Sequence, residues 1–113
     1  MEVYFRKGKL RKICESEPLA DRKFGKVRAN KLRQRLTELQ AAETLEMMMR
    51  LPAARCHALK GDRKGWFAVD LDHPYRLIFE PTRDPPPRRS DGGLDLSRIT
   101  EITILEITAY HEN

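Results

Sequence analysis

Long apolar runs are missing from this sequence of 113 residues. No segment approaches the roughly 18 apolar residues of a membrane-spanning helix, and residues 1–6 lack the apolar centre of a signal peptide. We therefore expect a cytoplasmic protein with no membrane partner. With 40% hydrophobic and 35% charged residues, the chain is typical of one small folded domain, which we expect to cover residues 1–113.

Cysteine and histidine are scarce, which argues against a disulfide framework or a metal site. Cys14 falls in a helical pattern and Cys56 in a strand pattern, and in a reducing compartment we expect two free thiols. Cys56 and His57 are adjacent rather than spaced as in zinc modules, and His73 and His111 supply no matching pair. The sequence therefore predicts no metal and no other cofactor.

Positive charge is concentrated in the first part of the chain. Residues 1–64 hold 17 Lys and Arg against 8 Asp and Glu, whereas residues 65–113 hold 5 against 9. Nucleic acid is the partner class that best fits this distribution, because each neutralised phosphate releases counterions. A merely solvated basic helix face is the alternative.

Apolar spacing in the first half predicts one strand followed by helices. Residues 3–5 form a short strand pattern, and a helical pattern then starts at Leu10 and is interrupted by Pro18. The most regular helical pattern covers residues 27–42, with basic residues between its leucines. Thr44 is a candidate cap for one more short helix, whose methionines we interpret as core residues rather than metal ligands.

The period changes from helix to strand in the second half. Strand patterns cover residues 56–59, 66–71, 75–79 and 99–108, while residues 82–98 are rich in proline and glycine and are interpreted as a loop insertion. The predicted class is α+β, with an N-terminal strand and helices packed on a mainly antiparallel sheet of about four strands. The second face of that sheet remains open.

A group of side chains unsuited to a core is expected on this open face. Arg76 alternates with the apolar residues of its strand, and His57 and Lys60 lie on the neighbouring strand and its turn. Tyr110 and His111 extend the last strand toward the same surface. RNA cleavage without a metal needs a base, an acid and cations around the phosphate, and histidine, arginine and lysine supply them.

A separate basic set is predicted to contact RNA phosphates. These residues lie off the leucine stripe of the long helix or in the turn after Lys60: Lys31, Arg33, Arg35, Arg63 and Lys64.

One stretch of sequence resembles a known family signature. Residues 51–65, which read LPAARCHALKGDRKG, resemble the signature of plasmid-maintenance killer toxins of the HigB type, in the RelE/ParE superfamily. The similarity continues through residues 67–71 and 73–81, and upstream through residues 31–36 with Ala41 and Ala42. It covers nearly the whole chain, apart from the 82–98 loop.

The resemblance implies a RelE-like fold and a toxin of a type II toxin-antitoxin system. It further implies ribosome-dependent mRNA cleavage in the 30S A site, inhibition of translation, and neutralisation by an antitoxin with a helix-turn-helix domain that joins the toxin to operator DNA. By this resemblance His57, Lys60, Arg76, Tyr110 and His111 carry the endoribonuclease activity.

Ala109 departs from the family pattern and leaves alternatives open. The usual closing motif is Asp-Tyr-His, so any role of that carboxylate is lost or moved to Glu106 or Glu112. The alternatives are a ParE-like gyrase inhibitor that acts by binding, and a catalytically weakened RNA-binding or regulatory partner of the antitoxin. The antitoxin role itself is disfavoured, because no helix-turn-helix pattern is present.

Overall fold

The computed structural model describes residues 1–109, in which helices cover one face of a five-stranded sheet. The strands are β1 (Glu2–Phe5), β2 (His57–Ala58), β3 (Phe67–Asp70), β4 (Tyr75–Pro81) and β5 (Glu101–Ala109). The helices are α1 (Gly8–Cys14), α2 (Glu17–Phe24), α3 (Lys26–Ala41) and α4 (Leu45–Met49). Short 3-10 turns cover Pro52–Ala54, Gly61–Arg63 and Leu96–Arg98.

The sheet has the order β1-β5-β4-β3-β2. The β5-β4-β3-β2 part is antiparallel, and β1 joins β5 in parallel. The α+β class is confirmed, although the sheet has one strand more than the four expected. Both edge strands are short, and the two-residue β2 is the shorter. Between Ile78 and Phe79 the register with β5 shifts by one residue, which leaves Leu105 as the extra residue of a β-bulge.

The helical pattern that starts at Leu10 does end before Pro18, at Cys14, but Pro18 belongs to a second helix, α2, that was not predicted. It lies in the first turn of α2, where the missing N–H of proline costs no intrahelical hydrogen bond. The Ser16 side chain accepts a hydrogen bond from the Leu19 N–H at 3.3 Å and caps this second helix. Thr44 caps α4 as predicted, through a hydrogen bond from the Met47 N–H at 3.2 Å.

The main core lies between the helices and the sheet. The Phe67 and Phe79 rings stack there, with centroids 5.9 Å apart. Met48 is buried in this core, as predicted, whereas its neighbour Met47 is 48% exposed. The other fully buried side chains of this core are Leu32, Leu39, Leu45, Val69, Leu77, Ile102 and Ile104.

The 82–98 segment is ordered rather than a plain loop. Its middle part forms a small hairpin in which Arg88 bridges to Leu94, and the Asp95 N–H donates to the Pro87 carbonyl at 2.9 Å. Its last part returns to the protein, where Leu94 and Leu96 pack against the main core. The segment therefore combines an exposed tip with an apolar anchor.

Candidate active site on the open sheet face

The face of the sheet opposite the helices carries a small apolar patch and a charged cluster. Ala68, Ile78, Leu59 and Leu105 form the buried patch, against which Trp66 packs. Two residues along β4 from Ile78, Arg76 lies directly across from Asp70 on β3. His57 lies across from Ala68 on the edge strand β2. Strand alternation thus brings His57 and Arg76 to the same face.

Asp70 is the centre of the charged cluster. Its Oδ1 lies 3.1 Å from Nε of Arg76, and its Oδ2 lies 3.4 Å from Nε of Arg55. Its backbone carbonyl accepts a hydrogen bond from Nε of the buried Arg35 at 2.7 Å. The Arg76 side chain is only 13% exposed, so its guanidinium is held in place by the fold.

His57 is joined to this cluster through the backbone of Arg55. Its Nδ1 lies 2.8 Å from the Arg55 carbonyl oxygen. A carbonyl only accepts hydrogen bonds, so Nδ1 carries the proton in this arrangement and Nε2 of the neutral ring keeps its lone pair. The contact therefore fixes the orientation of the ring and leaves Nε2 as the nitrogen without this partner.

Arg55 adopts an unusual backbone conformation that makes this contact. With φ at 49° and ψ at 45°, it lies in the left-handed region and ends the 3-10 turn of Pro52–Ala54. The chain thereby reverses just before β2, with the Arg55 carbonyl at the His57 ring and the Arg55 guanidinium at Asp70. We call the connected set of His57, Arg55, Asp70 and Arg76 the Asp70 network.

The remaining candidate catalytic residues are placed less directly. Lys60 is exposed at the start of the Gly61–Arg63 turn, beyond the end of β2. Tyr110 and His111 lie outside the described residues. Ala109 is paired with Tyr75, and Glu106 is paired with Ile78.

Comparisons with known proteins agree with this architecture. The family model described as the RelE-like toxin of the type II toxin-antitoxin system HigB matches residues 3–84. The chain belongs to this family of HigB-like toxins. A YoeB/ParE toxin from Agrobacterium tumefaciens has a similar fold, with a TM-score of 0.54 at 10% sequence identity, over 98% of this chain and 100% of that one. A search of curated proteins gave no match.

Membership of this family makes the chain the toxin of a type II toxin-antitoxin pair, with an antitoxin as its partner. Within residues 1–109, no helix is long and apolar enough to cross a membrane. In the same part of the chain, no group of three or more His, Cys, Asp or Glu side chains is arranged to hold a metal ion.

The basic residues of the toxin expected to contact RNA fall into two groups. Lys31 and Lys64 are exposed, and Arg63 is half-buried in the 3-10 turn after Lys60. Arg33 is partly buried, with Nη2 3.2 Å from Oδ1 of Asp21. Its guanidinium is thus engaged within the helical layer, whereas the lysines face solvent.

The prediction that Arg35 of the long helix α3 contacts RNA is wrong. Arg35 is 3% exposed, and it donates to the carbonyls of Asp70 and Ala53 and to the carboxylate of Glu38. A guanidinium held in this way cannot reach an RNA phosphate. Because Arg35 is charged, the sequence suggested a solvent-exposed residue. Its hydrogen bonds instead link α3 to the backbone beneath the Asp70 network.

Two members of the network, Arg55 and Asp70, were not singled out from the sequence. The alternation of Asp70 with Ala68 on β3 would have placed it on the open face. The signal for Arg55 was weaker, because its left-handed conformation cannot be read from an Ala-Arg-Cys sequence.

The two cysteines of the toxin are free, as predicted. Burial raises the pKa of the Cys56 thiol to about 12. Burial, with a smaller contribution from Glu15, raises the pKa of the Cys14 thiol to about 11. Both thiols therefore stay protonated near neutral pH and are poor nucleophiles.

Proposed function

We propose that this toxin is an endoribonuclease that cuts mRNA in the A site of the ribosome and so inhibits translation. The Asp70 network supports the proposal, because it fixes a proton acceptor and a phosphate-binding guanidinium on one exposed sheet face. A protein that acts only by binding has no need for an imidazole oriented through Nδ1.

The proposed reaction is attack of a ribose 2′-oxygen on the adjacent phosphorus. Nε2 of His57 takes the proton of the 2′-hydroxyl as the bond from the 2′-oxygen to phosphorus forms. The bond from phosphorus to the 5′-oxygen then breaks, and the leaving oxygen takes a proton from an acid, for which His111 or Tyr110 is the candidate. The products are a 2′,3′-cyclic phosphate and a free 5′-hydroxyl.

Cations stabilise the charge that develops on the phosphate during this reaction. Arg76 offers a planar, permanently charged donor set, and its Nε is already directed by Asp70. Lys60 adds a mobile point charge from the turn after β2. Removal of one such electrostatic contact at an active site costs about 10²- to 10³-fold in rate.

The proposal also specifies partners and location. We propose that the antitoxin carries a helix-turn-helix domain and joins the toxin to operator DNA as a larger complex. A target on translating ribosomes places the toxin in the cytoplasm.

Induced expression tests the function directly. Expression of the toxin alone should arrest growth and produce new 5′ ends within translated transcripts, whereas co-expression with the neighbouring antitoxin gene should prevent both effects. Purified toxin should cut mRNA on ribosomes and leave naked RNA largely intact. Its products should end in 2′,3′-cyclic phosphates.

A His57→Ala, His111→Ala double variant provides the control. It should fold, as judged by circular dichroism, bind ribosomes and fail to cut. Growth arrest with intact messages and a loss of DNA supercoiling would instead support a gyrase inhibitor. Ribosome binding without cleavage by the native toxin would support a catalytically weakened protein in which Ala109 has removed a needed carboxylate.

A further inference from the structure

A recess lies at the end of β4 that is far from Arg76. Its volume is about 300 Å³, and we call it the Trp66 cleft. The lining residues that matter here are Lys64, Trp66, Glu80, Arg83, Asp84 and Arg88. The cleft is thus built from one aromatic ring, three cations and two carboxylates.

The Trp66 cleft lies on the same sheet face as the Asp70 network. Arg76, Ile78 and Glu80 alternate along β4, and all three point away from the helix-side core. Glu80 lies four residue steps along the strand from Arg76, which is a span of about 13 Å. The buried patch around Ile78 lies between them. The network and the cleft therefore lie on one sheet face, at a separation that a few unstacked nucleotides can span.

The chemistry of the cleft fits a nucleotide rather than a bare anion. A tryptophan beside lysine and arginine is typical of surfaces that bind single-stranded nucleic acid, because every base has a face that stacks and every linkage has a charge. The two carboxylates of the cleft would repel a bound phosphate group. A carboxylate does, however, accept hydrogen bonds from the amino group of a base such as cytosine. Glu80 is placed for this contact, since it lies on the sheet face beside Trp66.

The outer wall of the cleft is already built in the free toxin. Pro86 and Arg88 line the cleft, the first just before the hairpin of the 82–98 segment and the second within it. Pro87 between them is buried, and Nη1 of Arg88 donates to the Gly92 carbonyl at 2.9 Å. The hydrogen bond from the Gly93 N–H, with Arg89 nearby, lowers the pKa of Asp91 at the hairpin tip. This wall lies beyond residues 3–84, where the family model matches.

We propose that the Trp66 cleft binds an unpaired nucleotide of the same RNA strand that the Asp70 network cuts. The base stacks on Trp66 and directs an exocyclic amino group to Glu80, while Lys64 contacts the backbone. This inference rests on the proposed ribonuclease function and adds a base-selecting subsite to it. The 82–98 segment is then a determinant of which message positions are cut.

Trp66 makes the test direct, because it is the single tryptophan of the chain. Short 2′-O-methyl oligocytidylate, which cannot be cleaved, should quench the fluorescence of the intact toxin. Oligouridylate of equal length should bind about tenfold more weakly, because uracil offers an oxygen where cytosine offers an amino group. Glu80→Ala should abolish the difference in affinity between the two oligonucleotides. Lys64→Ala should weaken the binding of both oligonucleotides and lower the slope of log affinity against log salt concentration by about one.

Controls separate this inference from the proposed function. Arg76→Ala should keep the quenching while it loses cleavage. Trp66→Ala should change the preferred cut positions in a protein that still folds. Equal binding of the two oligonucleotides, or no quenching at millimolar concentration, would overturn the subsite even if the toxin cuts mRNA. If the antitoxin quenches the Trp66 fluorescence and RNA does not compete with it, the cleft binds the protein partner. That result would also overturn the proposed nucleotide subsite.

Discussion

The two faces of the sheet are formed by the same strands, but one face packs against the helices and the other carries the candidate site. On β4, Leu77 and Phe79 are fully buried under the helices, while Arg76 before them and Glu80 after them lie on the open face. The helix side is apolar and closely packed, and the open side holds a charged network and a cleft. Each strand thus supplies the core and the candidate site at once, so neighbouring residues should respond differently to substitution.

The largest effect should come from the helix-side core. Phe79→Ala should lower the free energy of unfolding by about 3–5 kcal/mol, because it leaves a cavity beside the stacked Phe67 ring. Its neighbour on the open face, Glu80→Ala, should change this value by less than about 1 kcal/mol. Urea unfolding of both variants measures the difference. Similar losses would show that the open face contributes equally to stability.

Arg35 extends the comparison of the two sheet faces, because it is a charged residue buried on the helix side. Arg35→Ala should cost about 3 kcal/mol of stability, since it removes the cation paired with Glu38 and the side-chain donor to two backbone carbonyls. The exposed Lys31→Ala on the same helix should leave the unfolding midpoint almost unchanged and weaken ribosome binding at low salt. Thermal unfolding and a salt titration of binding check both. A stable Arg35→Ala protein would contradict the tie between α3 and the sheet.

Arg76 should show the reverse behaviour, with a loss of activity greater than its effect on folding. Arg76→Ala should lower the rate of ribosome-dependent cleavage by at least about 10²-fold. Arg76→Lys should recover only part of this rate, because an ammonium group lacks the planar donor set. Single-turnover cleavage of ribosome-bound mRNA is the measurement. Full activity in folded Arg76→Ala would remove the guanidinium from the mechanism.

Asp70 should have a smaller effect, because it acts through its neighbours. Asp70→Asn keeps the shape but weakens the ion pairs with Arg55 and Arg76, and we expect a cleavage rate about tenfold lower, or about 1.4 kcal/mol. The apparent ribosome affinity should stay the same. A rate loss that follows only the unfolded fraction would show that Asp70 is purely structural.

The fold class could be predicted because periodicity in this sequence is strong. The long helix, the central strands and the open face all follow from apolar spacing, and the family signature lies in residues 51–65. The separate helix α2 was missed because Pro18 stops one helix and starts another equally well, and only the Ser16 cap distinguishes the two.

The site could be predicted in part, since alternation gives the face of a side chain but not its partner. It placed Arg76 and His57 together, but it could not show that Asp70 forms ion pairs with two arginines. Arg35 was misassigned because charge alone does not reveal whether a helix turns a residue toward solvent or toward a strand carbonyl. The catalytic roles of His57, Lys60, Arg76, Tyr110 and His111 remain predictions.

The β-bulge at Leu105 bears on how this strand tolerates insertions and deletions. Phe79 pairs with Ile104 and Ile78 pairs with Glu106, so the chain fits one more residue into β5 than the partner strand requires. Deleting Leu105 would turn this stretch into a regular ladder and leave Thr108 opposite Arg76, at the cost of one side chain in the buried patch. Deleting Ile107 instead would place Thr108 opposite Leu77, on the wrong face. Length variation among related chains should therefore concentrate at this one position of β5.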